Sequence, residues 1–142
     1  MKLNFIKKRF YKFASDSASI AREKIYKPEI DRRKEKVELF RDTGLTELGI
    51  KLWEKTRSNL KEDFLPGNPV KDMLKLDEES KKKLSVDIEY FDSLVEKEKE
   101  AGITGTQLGE SDKQLLTDIA SLYDKLLTVF DKRALDLFEK SF

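Results

Sequence analysis

The chain has 142 residues, of which 40% are charged and 38% hydrophobic, with a net charge of +1 and neither cysteine nor histidine. That length suits one domain with a modest core. The missing residue types exclude disulfides, thiol chemistry and thiolate metal sites, together with the commonest metal ligand and neutral-pH general base.

Charge is placed unevenly. Residues 1–27 carry Lys2, Lys7, Lys8, Arg9, Lys12, Arg22, Lys24 and Lys27 against Asp16 and Glu23, a net +6 that leaves −5 for residues 28–142. The expected organisation is a basic amphipathic N-terminal helix or arm (1–27) on an acidic helical bundle domain (28–142).

Within the arm, Leu3, Ile6, Phe10 and Phe13 recur at steps of three, four and three, which predicts a helix over 2–26. Phe5 and Tyr11 broaden the aromatic face, while Lys7, Lys8, Arg9 and Lys12 occupy the rest. Such a helix suits an anionic membrane surface. It equally suits packing on an acidic partner or on the chain's own body. The stretch also resembles mitochondrial targeting sequences in general character, being basic, acid-poor and serine-containing.

Pro28 is expected to end or kink that helix, because proline lacks a backbone donor and disfavours helical geometry before it. A second helix follows from Glu29 to about Asp42, with Ile30, Val37 and Phe40 on one side and charge elsewhere. Its charged faces read as solvated, and Gly44 suits the left-handed residue after a helix end. A third helix runs from a Thr43 or Thr46 cap to about Phe64. Its stripe reads Leu45, Leu48, Leu52, Thr56, Leu60 and Phe64, with Ile50 and Trp53 flanking. Trp53 is expected to anchor either the core or an interface.

The Pro-Gly-Asn-Pro sequence at 66–69 predicts a stiff turn. A short helix over 70–76 should follow. A fourth long helix begins near Glu78 and carries Leu84, Ile88, Phe91 and Val95 at steps of four, three and four, with Leu94 alongside. Residues 96–100 read as its solvated end, and Gly102 as its stop. The connection over 102–110 lets the next helix fold back antiparallel.

That last helix is predicted over 111–142, with Ser111 as N-cap and Asp112 favouring the helix dipole. Leu115, Ile119, Leu122, Leu126, Val129 and Leu137 form its stripe, with Arg133 the polar break. Leu116, Tyr123, Leu127, Phe130, Ala134 and Phe138 widen it. This helix and residues 80–101 are expected to supply much of the seam.

No motif for chemistry stands out. The glycines at 102, 105 and 109 follow no strand and precede no Gly-Lys-Ser/Thr, so they do not make a phosphate loop. Gly102-Ile103-Thr104-Gly105 has the spacing of a KH nucleic-acid loop but lacks the sheet that fold requires. Acidic residues at the start of the last helix would repel a phosphate backbone. A di-iron bundle needs histidine, and no twelve-residue calcium loop is present. The Asp92–Glu96 pair shares a helix face without any sign of a cleft.

The fold expected is therefore all-α: about four helices in a bundle, closed or extended with coiled-coil-like contacts, plus the basic N-terminal helix. No enzyme activity, cofactor, metal or small-molecule substrate is expected. The leading function is a non-catalytic accessory or structural subunit of a larger, membrane-associated assembly of mitochondrial inner-membrane type, peripheral to the membrane. Leu3, Ile6, Phe10 and Phe13 would be apolar anchors, Lys7, Lys8, Arg9 and Lys12 contacts to acidic groups, and Trp53 a central anchor. The alternatives are a free cytoplasmic helical adaptor or inhibitor of phage or bacterial type, and nucleic-acid binding through the basic arm.

Overall fold

The computed structural model describes residues 24, 26–65 and 76–140, with side chains through residue 129. Four helices make up nearly all of this: α1 (Lys27–Thr43), α2 (Glu47–Phe64), α3 (Glu78–Glu100) and α4 (Glu110–Lys140). Among the described residues there is no strand, only an isolated bridge between Leu45 and Thr106. The all-α bundle expected from the sequence is what forms. The turn at 66–69 and nearly all of the predicted helices over 2–26 and 70–76 lie outside the described residues. None of the four helices is long and apolar enough to cross a membrane.

The most charged helix turns out to be the central one. α1 lies against both α4 and α2, whereas the seam had been expected between the last two helices. Only Ile30, Val37 and Phe40 of α1 are buried. That narrow stripe suffices because the flanking long side chains lie along neighbouring helices and place their charged heads on acids there. Arg33 Nη1 donates to both carboxylate oxygens of Asp63 on α2, at 2.7 and 2.8 Å. Lys34 Nζ reaches Asp124 on α4 at 3.0 Å, and Arg41 Nη1 reaches the Thr117 hydroxyl at 3.1 Å. The order of these contacts makes α1 and α4 antiparallel.

Pro28 sits in the first turn of α1, where its missing donor costs nothing. At the other end Gly44 has φ +72° and its N–H bonds the Phe40 carbonyl at 2.9 Å, as its position after the helix predicted. Thr46, rather than Thr43, caps α2 by accepting the Gly49 N–H at 3.1 Å.

The buried face of α2 differs from expectation. Gly49, Ile50, Trp53, Thr56, Leu60 and Phe64 point inward, while Leu48 is 61% exposed. Gly49 lies on this inward face, where an added Cβ would overlap the Gly44 carbonyl oxygen. Trp53 is 1% exposed. Its ring centroid lies 5.3 Å from Phe40 and 5.2 Å from Phe91, so one aromatic cluster joins α1, α2 and α3. Each of these rings, fully buried, contributes about 1.5–3 kcal/mol or more from burial alone.

α3 buries the predicted Leu84, Ile88, Phe91 and Val95, and its N-terminus is capped by Asp77, whose Oδ1 accepts the Ser80 N–H at 2.7 Å. α4 begins one residue earlier than expected. The Lys113 N–H closes on the Gly109 carbonyl at 3.0 Å, which puts Ser111 inside the first turn instead of at the cap. Leu116, Ile119, Ala120, Tyr123 and Leu126 are buried, with Leu115 and Leu122 only half-buried. The inward direction of α4 is thus displaced by about one residue from the stripe read in the sequence.

Candidate functional site

The interior polar groups hold helices together. Asp63 accepts from Arg33 and also from the Tyr123 hydroxyl at 2.9 Å, which ties α1, α2 and α4 at one point. Burial, and then the charge of Asp63, pushes the Tyr123 hydroxyl far above the ordinary tyrosine range. It therefore stays protonated and serves as a donor. Asp92 on α3 accepts from the Trp53 indole at 2.8 Å and from Arg57 Nε at 2.8 Å, which joins α2 to α3.

Glu98 is the one member of the predicted solvated end that is not solvated, being 6% exposed. Its Oε1 accepts the Thr104 hydroxyl at 2.7 Å and the Thr106 N–H at 3.2 Å, and its backbone carbonyl accepts the Ile103 N–H at 2.9 Å. Those bonds hold Ile103 at φ +56°, an uncommon conformation for a β-branched residue. They also deliver Thr106 to Leu45, whose N–H bonds its carbonyl at 2.9 Å. The Gly-x-x-Gly spacing at 102–105 is therefore a fastened turn beside a helix end. The only signal for it in the sequence was a Thr-x-Thr pair following a glutamate, and that pattern is too common to single out.

Hydrogen bonds from the Thr104 and Thr106 side chains hold the Glu98 carboxyl at about 2, against an ordinary value of 4.5. A carboxyl depressed in the folded state stabilises fully above its unfolded value and loses that contribution as pH falls through the folded one. Stability measured in denaturant between pH 4.5 and 2 should thus fall less steeply in Glu98→Gln than in the parent chain. Equal slopes would mean that the loop does not hold the carboxylate.

What remains after these ties is a groove. α3 and α4 are antiparallel, since Tyr90 donates to Asp112 at 2.7 Å while the earlier Leu84 and Asp87 meet the later Ile119 and Leu122, but they stand apart around a cavity of about 290 Å³. Its apolar lining comes from Leu76, Leu84, Ile119 and Leu122, and its polar rim includes Asp87 and Asp118, with Lys83 and Lys125 alongside. Asp118 accepts from Gln114 at 3.0 Å. Asp87 is half-buried and has no hydrogen-bond or ion-pair partner among the described residues. Burial raises its pKa, Lys83 opposes the rise and Asp118 adds to it.

Such a groove is small for an organic cofactor, which usually occupies about 300–1,000 Å³. Its mixed lining better suits a few side chains of a docked helix. No group of three or more potential metal-ligating side chains converges among the described residues. The carboxylates of this groove were visible in the sequence only as acids on helices. Nothing in the spacing of Asp87 and Asp118 indicated that they would face one another across two elements.

Of the residues singled out for partner contact, Leu3, Ile6, Lys7, Lys8, Arg9, Phe10, Lys12 and Phe13 lie outside the described residues. Trp53 is a core anchor; its ring is covered by this chain's own side chains. No family model matches the chain, and neither a curated protein nor a solved structure is similar to it.

Proposed function

We propose that this chain is a non-catalytic structural subunit that works through helix–helix contacts within a larger assembly, peripheral to a membrane. The observation supporting this reading is the groove between α3 and α4. It has an apolar floor, a half-buried Asp87 without a partner among the described residues, and lysines at its edges. A helix from another subunit can bury apolar side chains on Leu84, Ile119 and Leu122 while offering a donor to Asp87. Asp63, Asp92 and Glu98 are occupied in internal ties, which leaves Asp87 for contact with a partner. The basic arm, with Lys7, Lys8, Arg9 and Lys12, would supply a second contact to acidic surfaces by charge complementarity.

Native extracts from the source test the reading. The chain should migrate in an assembly well above its own 16.6 kDa, and Leu122→Lys, placed on the groove floor, should release it. Migration of the unaltered chain at its own mass would remove the proposal.

A further inference from the structure

A second surface, separate from the α3–α4 groove, lies where α1 and α2 run side by side. Lys36, Lys51 and Lys55 line an open cavity of about 410 Å³ there, together with Glu54, Ser58 and Asn59. None of the three lysines has an ion-pair partner among the described residues. Glu54 is matched by Lys99 at 3.2 Å, so it does not neutralise them. Glu47, one turn before Lys51, makes no ion pair with it either.

Two exposed leucines flank these lysines. Leu39 is one turn from Lys36 on α1 and is 44% exposed; Leu48 is one turn from Lys51 on α2 and is 61% exposed. Residues three or four apart on a helix are surface neighbours, so each leucine stands beside a lysine of its own helix, with Glu35 and Glu47 the exposed acids next to them. A soluble phosphate compound would need the lysines but would have no use for the leucines. An acidic protein surface would be met more typically by arginine and aromatic residues, since lysine is depleted from protein interfaces. Lysine with leucine is the combination that suits a layer of anionic headgroups above acyl chains.

We infer that the α1–α2 face, through Lys36, Lys51, Lys55, Leu39 and Leu48, binds the surface of an anionic phospholipid membrane. The lysine ammonium groups meet headgroup phosphates and carboxylates, while the two leucines enter the interface. One weak membrane signal gives only marginal, reversible binding, and two together give stable anchoring. A patch on the folded body and the basic arm at 1–27 would therefore act as linked sites on one bilayer.

Flotation of the full chain with phosphatidylcholine vesicles, with and without phosphatidylserine, tests this. Binding should require phosphatidylserine and weaken with salt. The triple variant Lys36→Gln/Lys51→Gln/Lys55→Gln should lose about a hundredfold in partitioning at low salt, since each surface lysine near such a membrane is worth about a factor of five. Leu39→Ser/Leu48→Ser should also lose partitioning without losing the salt dependence. Melting curves check that both variants keep the fold, Lys36 being half-buried and the other altered positions exposed. The inference is overturned if the parent chain ignores the vesicles, if both patch variants float as the parent does, or if only Lys7→Gln/Lys8→Gln/Arg9→Gln/Lys12→Gln abolishes flotation. It is also overturned if the triple variant loses affinity for inorganic tripolyphosphate but not for vesicles, which would make the lysines a soluble-anion site. None of these results affects the migration test of the groove, so the two readings fail separately.

Discussion

Replacing Gly49 by alanine should cost about 3 kcal/mol or more, although alanine is the better helix former by about 1 kcal/mol. A Cβ at this position would overlap the Gly44 carbonyl oxygen, lie 2.9 Å from its carbon, and come within 3.3 Å of the Thr46 hydroxyl that caps the helix. Relief needs movement of backbone, and the backbone cannot move freely. Gly44 is itself held at φ +72°, and a Cβ there would be 3.1 Å from the Thr106 carbonyl. The clash therefore propagates from α2 through the α1–α2 turn into the loop fastened by Glu98. A loss of that size should lower the melting temperature by at least about 10 °C in a domain this small. Gly109→Ala is the control, because nothing lies within 4 Å of a Cβ there. That substitution should change stability by less than about 0.5 kcal/mol. Similar melting curves for the two variants would show that α2 does not pass so close to Gly44.

Trp53→Ala should cost about 3–5 kcal/mol, the usual loss when a large aromatic side chain is removed from a core. The indole is 1% exposed, in ring contact with Phe40 and Phe91, and its N–H is bonded to Asp92 at 2.8 Å. Removing it opens a cavity where α1, α2 and α3 meet and leaves Asp92 with Arg57 as its remaining partner. Trp53→Phe separates the two effects. It keeps most of the packing and loses one hydrogen bond, for about 1 kcal/mol. As the single tryptophan of the chain, Trp53 also reports its own surroundings: its fluorescence should be blue-shifted when folded and move red on denaturation. Urea melts of the two variants check the energies. If Trp53→Ala left stability unchanged, the residue would have to be returned to a surface role.

Legibility in the sequence varied from helix to helix, with a physical pattern. α3 was read almost completely, since Leu84, Ile88, Phe91 and Val95 form a stripe wide enough to define its own inner face. α1 was read as a helix but not as the centre of the bundle. Three buried side chains in seventeen residues look peripheral; what makes the helix central is the reach of Arg33 and Lys34 to acids far away in sequence. On α2 the existence of the helix was clear and its rotation was not. Leucine at 48 is a strong apolar signal yet faces outward, while Gly49, which carries almost none, is buried beside the Gly44 carbonyl. Glu98 sits among charges that otherwise face water, and only the return of the loop after it creates its partners. The α3–α4 groove was not legible, because its two walls belong to separate helices and its carboxylates meet only in space.

By itself, the sequence determined the four helices of the described residues, the type of fold and the chemistry that its composition excludes. Apolar spacing along one segment reports a helix and one of its faces, and the absence of cysteine and histidine is independent of any fold. The tertiary structure alone decided which helix lies at the centre, which way α2 turns, and where polar groups are satisfied. It also decided which surfaces stay open: the groove of Asp87 and the lysine-lined cavity between α1 and α2. These outcomes depend on contacts between residues distant in the chain, whose energies of about 1–3 kcal/mol arise only once burial removes water from around them.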